Sequence, residues 1–193
     1  MTAVLLSNYP ERFAGGAIFA GLPYGCNRSS GFFDFTWNWV HYSPFALDGA
    51  DASYACGVAG FQSRNRDGEA WAGFIMQNTE SLPQRWPLLS IWQGTKDATV
   101  DPDNLTELTE QWTTVQNIDT VADEQQTMGD ATRRIYHDEA GIPRVETWSL
   151  EGFGHAFPID ADNDPDDCGL EATFVMNANL CAVRRVADFW QLR

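Results

Sequence analysis

The sequence predicts an α/β domain, and three observations carry that prediction. Apolar runs at 15–21, 88–92 and 144–150 have the form of strands buried in a sheet, and the last two run into glycine turns. The stretch 102–115 carries Leu105, Leu108, Trp112 and Val115 at helical spacing. Helical and extended segments alternate along the chain, the order that builds a mostly parallel sheet flanked by helices.

Each element has its own signature. Residues 2–8 read as the last turns of a helix that Pro10 ends. Gly15 to Gly21 is a short run of small and apolar residues, read as a buried strand. Gly25 to Gly60 is rich in Gly, Ser, Asp and aromatic residues without periodicity, and reads as an irregular insert or lid bounded by Cys26 and Cys56. It contains Asn27-Arg28-Ser29, formally a glycosylation triplet, to which no role is assigned. Phe61 to Asn78 reads as partly helical. Leu88 to Trp92 is a strand, and Pro102-Asp103-Asn104 opens a helix to Val115 with Asp103 as its cap. Thr132 to His137 and Arg144 to Leu150 alternate as strands, joined by the turn residues Asp138 to Gly141. An acidic loop, Asp160 to Asp167, precedes an amphipathic terminal helix expected over Thr173 to Gln191.

Bulk properties bound the function. At 193 residues the chain reads as one domain over 1–193, and 44% hydrophobic with 13% aromatic residues provide for a sizeable core. The formal net charge is -15, and Lys96 is the one lysine, so nucleic acid is not an expected partner. No run approaches the roughly 20 apolar residues of a membrane helix, so no membrane is expected either. Four cysteines without a CxxC pair argue for disulfides rather than zinc. Cys26–Cys56 with Cys168–Cys181 is the simplest pairing by proximity, one of three that four cysteines allow. Disulfides imply an extracellular location. Residues 1–12 do not read as a signal peptide, a conflict that an upstream segment resolves.

Two side chains stand where α/β sheets collect their chemistry, at the carboxyl ends of strands. Asp97 follows the 88–92 strand in a Gly94-Thr95-Lys96-Asp97 turn. His155 follows the 144–150 strand in Gly152-Phe153-Gly154-His155, where glycines leave the imidazole accessible. A carboxylate and an imidazole so placed are the acid and base of a hydrolase triad. Of the other histidines, His41 falls in the aromatic insert and His137 within a strand. None of the nine serines has glycine two residues before and two after it, so no nucleophile elbow is present. The acidic loop Asp160, Asp162, Asn163, Asp164, Asp166 lacks the glycine and closing glutamate of a calcium loop and reads as solvated.

Met1 to Pro23, with Leu5-Leu6-Ser7-Asn8-Tyr9-Pro10-Glu11-Arg12, resembles the segment that follows the nucleophile in secreted polyhydroxybutyrate depolymerase-type esterases, relatives of feruloyl and acetylxylan esterases. Ser90-Ile91-Trp92-Gln93-Gly94-Thr95-Lys96-Asp97-Ala98-Thr99-Val100 is similar to their acid motif, with Gln93 in place of the usual histidine. Gly152-Phe153-Gly154-His155 is similar to their Gly-Met-Gly-His, and Cys168 to Leu192 to their closing segment. The resemblance implies the C-terminal portion of an α/β-hydrolase fold with the early strands missing. It implies triad acid Asp97, triad histidine His155, and a serine upstream of Met1. It further implies a secreted serine esterase or polyhydroxyalkanoate depolymerase acting on polyester or plant cell-wall esters, without cofactor or metal, and inactive as the isolated chain. The alternative is a non-catalytic module of the same fold that binds carbohydrate or polymer through Phe32, Phe33, Phe35, Trp37 and Trp39. A sheet without its first strands exposes an unpaired edge, so self-association is expected.

Overall fold

The computed structural model describes residues 1–26, 56–58, 65–79, 82–161 and 167–192. Most of the aromatic insert, and Asp162 to Asp166 of the acidic loop, lie outside the described residues. Strands β1 (Gly15–Phe19), β2 (Leu88–Gly94), β3 (Glu124–Met128), β4 (Ala131–His137) and β5 (Pro143–Leu150) form one sheet in the order β1-β2-β5-β4-β3. β1, β2 and β5 run parallel, whereas β4 and β3 are antiparallel additions at one edge. The parallel half is the part the apolar runs predict.

The register decides which residues reach each face. Ile18 lies opposite Ile91, and Leu89 opposite Val145. These join Leu6 of α1 (Thr2–Asn8), Ile75 of α2 (Gly68–Met76), and Leu108 and Trp112 of α3 (Asn104–Val115) in one core. On the other face Phe19, Trp92 and Trp148 align across three strands. Trp92 and Trp148 stack with centroids 4.5 Å apart and planes 7° off parallel, and α4 (Ala182–Phe189) covers them with Val186. Helices on both faces of a mixed, largely parallel-cored sheet make the α/β architecture expected from the chain.

α3 also has a buried polar side. The Asn104 amide donates to the Cys56 carbonyl at 2.6 Å. The Gln111 amide donates to the Tyr24 carbonyl at 2.9 Å and accepts from the Tyr24 backbone N–H at 2.8 Å. Glu107 accepts from the Trp71 indole N–H. Buried polar groups must be partnered, and the Tyr24 and Cys56 contacts tie the two ends of the cysteine-bounded insert to α3. Both disulfides, Cys26–Cys56 and Cys168–Cys181, are present.

Several boundaries differ from expectation. The terminal helix begins at Ala182, not Thr173. Residues 175–177 instead form β7 (Val175–Asn177), which pairs in parallel with β6 (Phe157–Ile159). The Asn177 side chain accepts from the backbone of Ala161 and Asn179, and the Cys168–Cys181 bridge closes the segment; both compete with a helix. Asp103 sits at the N-cap of α3 without a side-chain cap bond, and Asp101 accepts from its N–H at 3.0 Å. β3 has no apolar alternation to betray it: its side chains are largely exposed, and backbone pairing to β4 holds it.

Candidate functional site

Asp97 and His155 come together at the carboxyl edge of the parallel strands. β2 ends at Gly94 and β5 at Leu150, in register with each other. Past this point the two turns are bonded together. Thr95 N–H donates to the Leu150 carbonyl and Lys96 N–H to the Phe153 carbonyl, each at 2.9 Å. The Thr95 hydroxyl oxygen accepts from Gly152 N–H at 2.9 Å. Gly152 holds φ +72°, a left-handed value that favours glycine.

The turn aims the Asp97 carboxylate inward, where its side chain is fully buried. Oδ1 accepts from the backbone N–H groups of Thr99 (2.8 Å) and Val100 (2.9 Å). Oδ2 accepts from the Gln93 amide at 3.0 Å and faces His155 Nδ1 at 2.9 Å. Four contacts fix both oxygens in place. An ionised carboxylate only accepts, so Nδ1 carries the proton and Nε2 is the basic nitrogen. The His155 side chain is 31% exposed. An imidazole oriented by a buried carboxylate and partly open to solvent can take a proton from a nucleophile and return it to a leaving group.

Gln93 is the residue that sequence reasoning passed over. In the sequence it stands where the resembled motif has a histidine, and nothing more marks it. In the structure its Nε2 bridges Asp97 Oδ2 and, at 3.2 Å, the Val100 carbonyl. Its signal was its place on β2, four residues before Asp97.

The remaining candidates lie elsewhere. His137 stands on β4 at 3.5 Å from Asp123 and 3.4 Å from Glu124, away from the pair. His41 is outside the described residues. Among the described serines, Ser7 donates to the Ala3 carbonyl and Ser90 to Glu146, and neither these nor Ser149 hydrogen-bonds His155. Glu146 is a second buried acid, set within the sheet. It also accepts from Arg133 Nε at 2.7 Å, and burial pushes its carboxyl above the ordinary range despite Ser90 and Arg133. Among the described residues no cluster of three metal-ligating side chains occurs, and no helix is long and apolar enough to cross a membrane.

No family model matches the chain. It is similar to poly(3-hydroxyalkanoate) depolymerase C of Paucimonas lemoignei, at 30% identity over 98% of this chain and 40% of that protein. It is also similar to feruloyl esterase B of Talaromyces stipitatus, at 27% identity over 83% of this chain and 39% of that protein. Acetylxylan esterase of Coprinopsis cinerea is 27% identical over 82% of this chain and 37% of that protein. The chain thus spans about 40% of the length of these relatives. In fold it matches an acetyl xylan esterase from Aspergillus awamori with a TM-score of 0.67, at 17% identity, over 100% of this chain and 56% of that one. The chain is similar in sequence to these esterases over most of its length, and its α/β fold matches that of the Aspergillus awamori structure.

Proposed function

We propose that this chain is the acid- and base-bearing portion of a secreted serine carboxylic ester hydrolase. The observation that carries the reading is the 2.9 Å contact of His155 Nδ1 with buried Asp97 at the ends of two adjacent parallel strands. In the whole enzyme a serine on a segment preceding Met1 attacks the ester carbonyl. His155 Nε2 takes the hydroxyl proton as the Oγ–C bond forms, then gives it to the departing alcohol as the ester C–O bond breaks. Water, deprotonated by the same nitrogen, frees the acid and regenerates the serine. Asp97 holds the tautomer and stabilises the imidazolium throughout.

Two features support an upstream nucleophile. Met1 and Thr2 line one cavity with Phe19 and Gly21, so the start of α1 lies at the carboxyl end of β1. Among the described residues, no strand pairs with the outer edge of β1. By the same reading the chain in isolation is inactive and self-associates along that edge. The two disulfides support an extracellular setting, and the relatives suggest polyester or plant cell-wall esters as substrates.

The test is hydrolysis of p-nitrophenyl acetate and butyrate by residues 1–193, beside the chain extended upstream to include the serine. Turnover by the extended chain alone is expected. Turnover by neither contradicts the proposal and moves the non-catalytic, polymer-binding alternative to first place. A binding assay on insoluble polyester or arabinoxylan then checks that alternative.

A further inference from the structure

The His155 ring has a second neighbour. The Phe174 ring meets it edge to face, with centroids 5.8 Å apart and planes at 81°. Phe174 is nonetheless 64% exposed. Its backbone is unusual as well. Ala172 and Val175 exchange both backbone hydrogen bonds, at 2.9 and 3.0 Å, which leaves Thr173 and Phe174 as the two central residues of a tight turn. Phe174 holds φ +61° there. Glycine or asparagine takes that conformation readily, and a bulky aromatic residue rarely does. The other non-glycine residues with positive φ among those described are Ala20, Asn117, Asn179 and Gln191, none of them aromatic.

The strained conformation is held from outside the turn. The Phe174 carbonyl accepts from Phe157 N–H at 2.8 Å, two residues past His155, and Val175 then pairs with Phe157. A ring that is largely exposed contributes little to the core, and its backbone costs stability. Strain retained without a packing reason points to function, and this ring stands beside the basic imidazole.

We propose that Phe174 is a specificity-determining residue that binds the alcohol side of the ester; this rests on the hydrolase reading above. His155 protonates the departing alkoxide, so atoms against its ring lie on the leaving-group side of the scissile bond. An exposed phenyl ring there offers apolar contact to the alcohol and favours one with several carbons over a short one. The acyl side is set by other residues.

The test uses the chain extended to include its serine, with two substrate series. Ethyl, butyl and octyl acetates vary the alcohol, and p-nitrophenyl acetate, butyrate and octanoate vary the acyl group. Phe174→Gly is expected to lower the octyl-to-ethyl ratio of kcat/KM by about tenfold or more. Its ratios across the acyl series are expected to match those of the parent. Phe174→Leu should restore most of the alcohol preference. Because glycine suits φ +61°, the thermal midpoint of Phe174→Gly should not fall, which separates lost contact from lost folding. Unchanged alcohol ratios in an active Phe174→Gly enzyme overturn the proposal while leaving the hydrolase reading intact, as does a parallel shift of both series. An inactive parent overturns the hydrolase reading and this proposal with it.

Discussion

Gly94 meets the backbone of Phe153 so closely that a Cβ at position 94 would lie 2.2 Å from the Phe153 carbonyl oxygen and 2.7 Å from that of Gly154. The turn that carries Asp97 and the turn that carries His155 are therefore packed main chain on main chain. No side chain can be inserted between them. The Asp97–His155 contact is set by this packing as much as by the two residues that form it.

Gly94→Ala tests that relationship. The clash is with backbone, which no rotamer change relieves, so the turns must part and the Lys96 to Phe153 hydrogen bond must stretch or break. A loss of about 1–3 kcal/mol is expected from denaturant unfolding. In the extended enzyme, esterase turnover should fall as well. Unchanged stability would show that the two turns are not rigidly apposed.

Asp97→Asn preserves shape and removes charge. Its side-chain oxygen can still accept from Thr99 and Val100, so the turn should survive and circular dichroism should match the parent. The amide can donate to His155 Nδ1, which selects the wrong tautomer for a base at Nε2. A drop in kcat of about 10³- to 10⁴-fold is expected in the extended enzyme.

Gln93→Ala removes the bridge between Asp97 Oδ2 and the Val100 carbonyl. The carboxylate keeps its backbone donors and loses one fixed direction. A smaller loss of kcat, about tenfold, is expected, with KM nearly constant because Gln93 is buried away from solvent. A change confined to KM would place Gln93 in contact with substrate instead.

Glu146 ties stability to pH. Burial raises its carboxyl above the ordinary value of 4.5, so the folded state holds a proton that the unfolded chain releases. Its contribution is full below 4.5 and is lost as pH rises through the folded value. Glu146→Gln cannot ionise and escapes that loss. The thermal midpoint of Glu146→Gln minus that of the parent should therefore move upward between pH 4 and pH 8. Parallel curves would contradict the raised value.

Reduction of Cys168–Cys181, or its replacement by two serines, should loosen the segment that carries β7 and Phe174. The bridge closes 13 residues, for which the loop-entropy estimate is about 3 kcal/mol. Protection of the Val175–Asn177 amides from hydrogen exchange should fall before that of β2 and β5.

What the sequence disclosed follows a physical pattern. The parallel strands and α3 were legible because continuous burial or a helical stripe leaves a periodic trace. The strand-end positions of Asp97 and His155 were legible because each follows such a strand through a glycine turn. β3 was not, because an exposed edge strand held by backbone bonds places no demand on its side chains. The short β6–β7 pair and the late start of α4 were hidden for a related reason. A disulfide and the Asn177 side chain decide them, and both are long-range partners that helical periodicity cannot anticipate. Gln93 reads as a neutral replacement in the sequence, and only the folded chain brings its amide to Asp97. Phe174 carried no sequence signal, since positive φ at an aromatic residue is visible only in the folded backbone.

The most direct measurement is p-nitrophenyl butyrate hydrolysis by the serine-containing, upstream-extended chain, with and without His155→Ala. Removal of the imidazole should cut kcat by about 10³-fold or more, in a protein whose thermal midpoint shows it folded. Full activity after His155→Ala would contradict the proposal that His155, oriented by Asp97, is the base of the ester hydrolase.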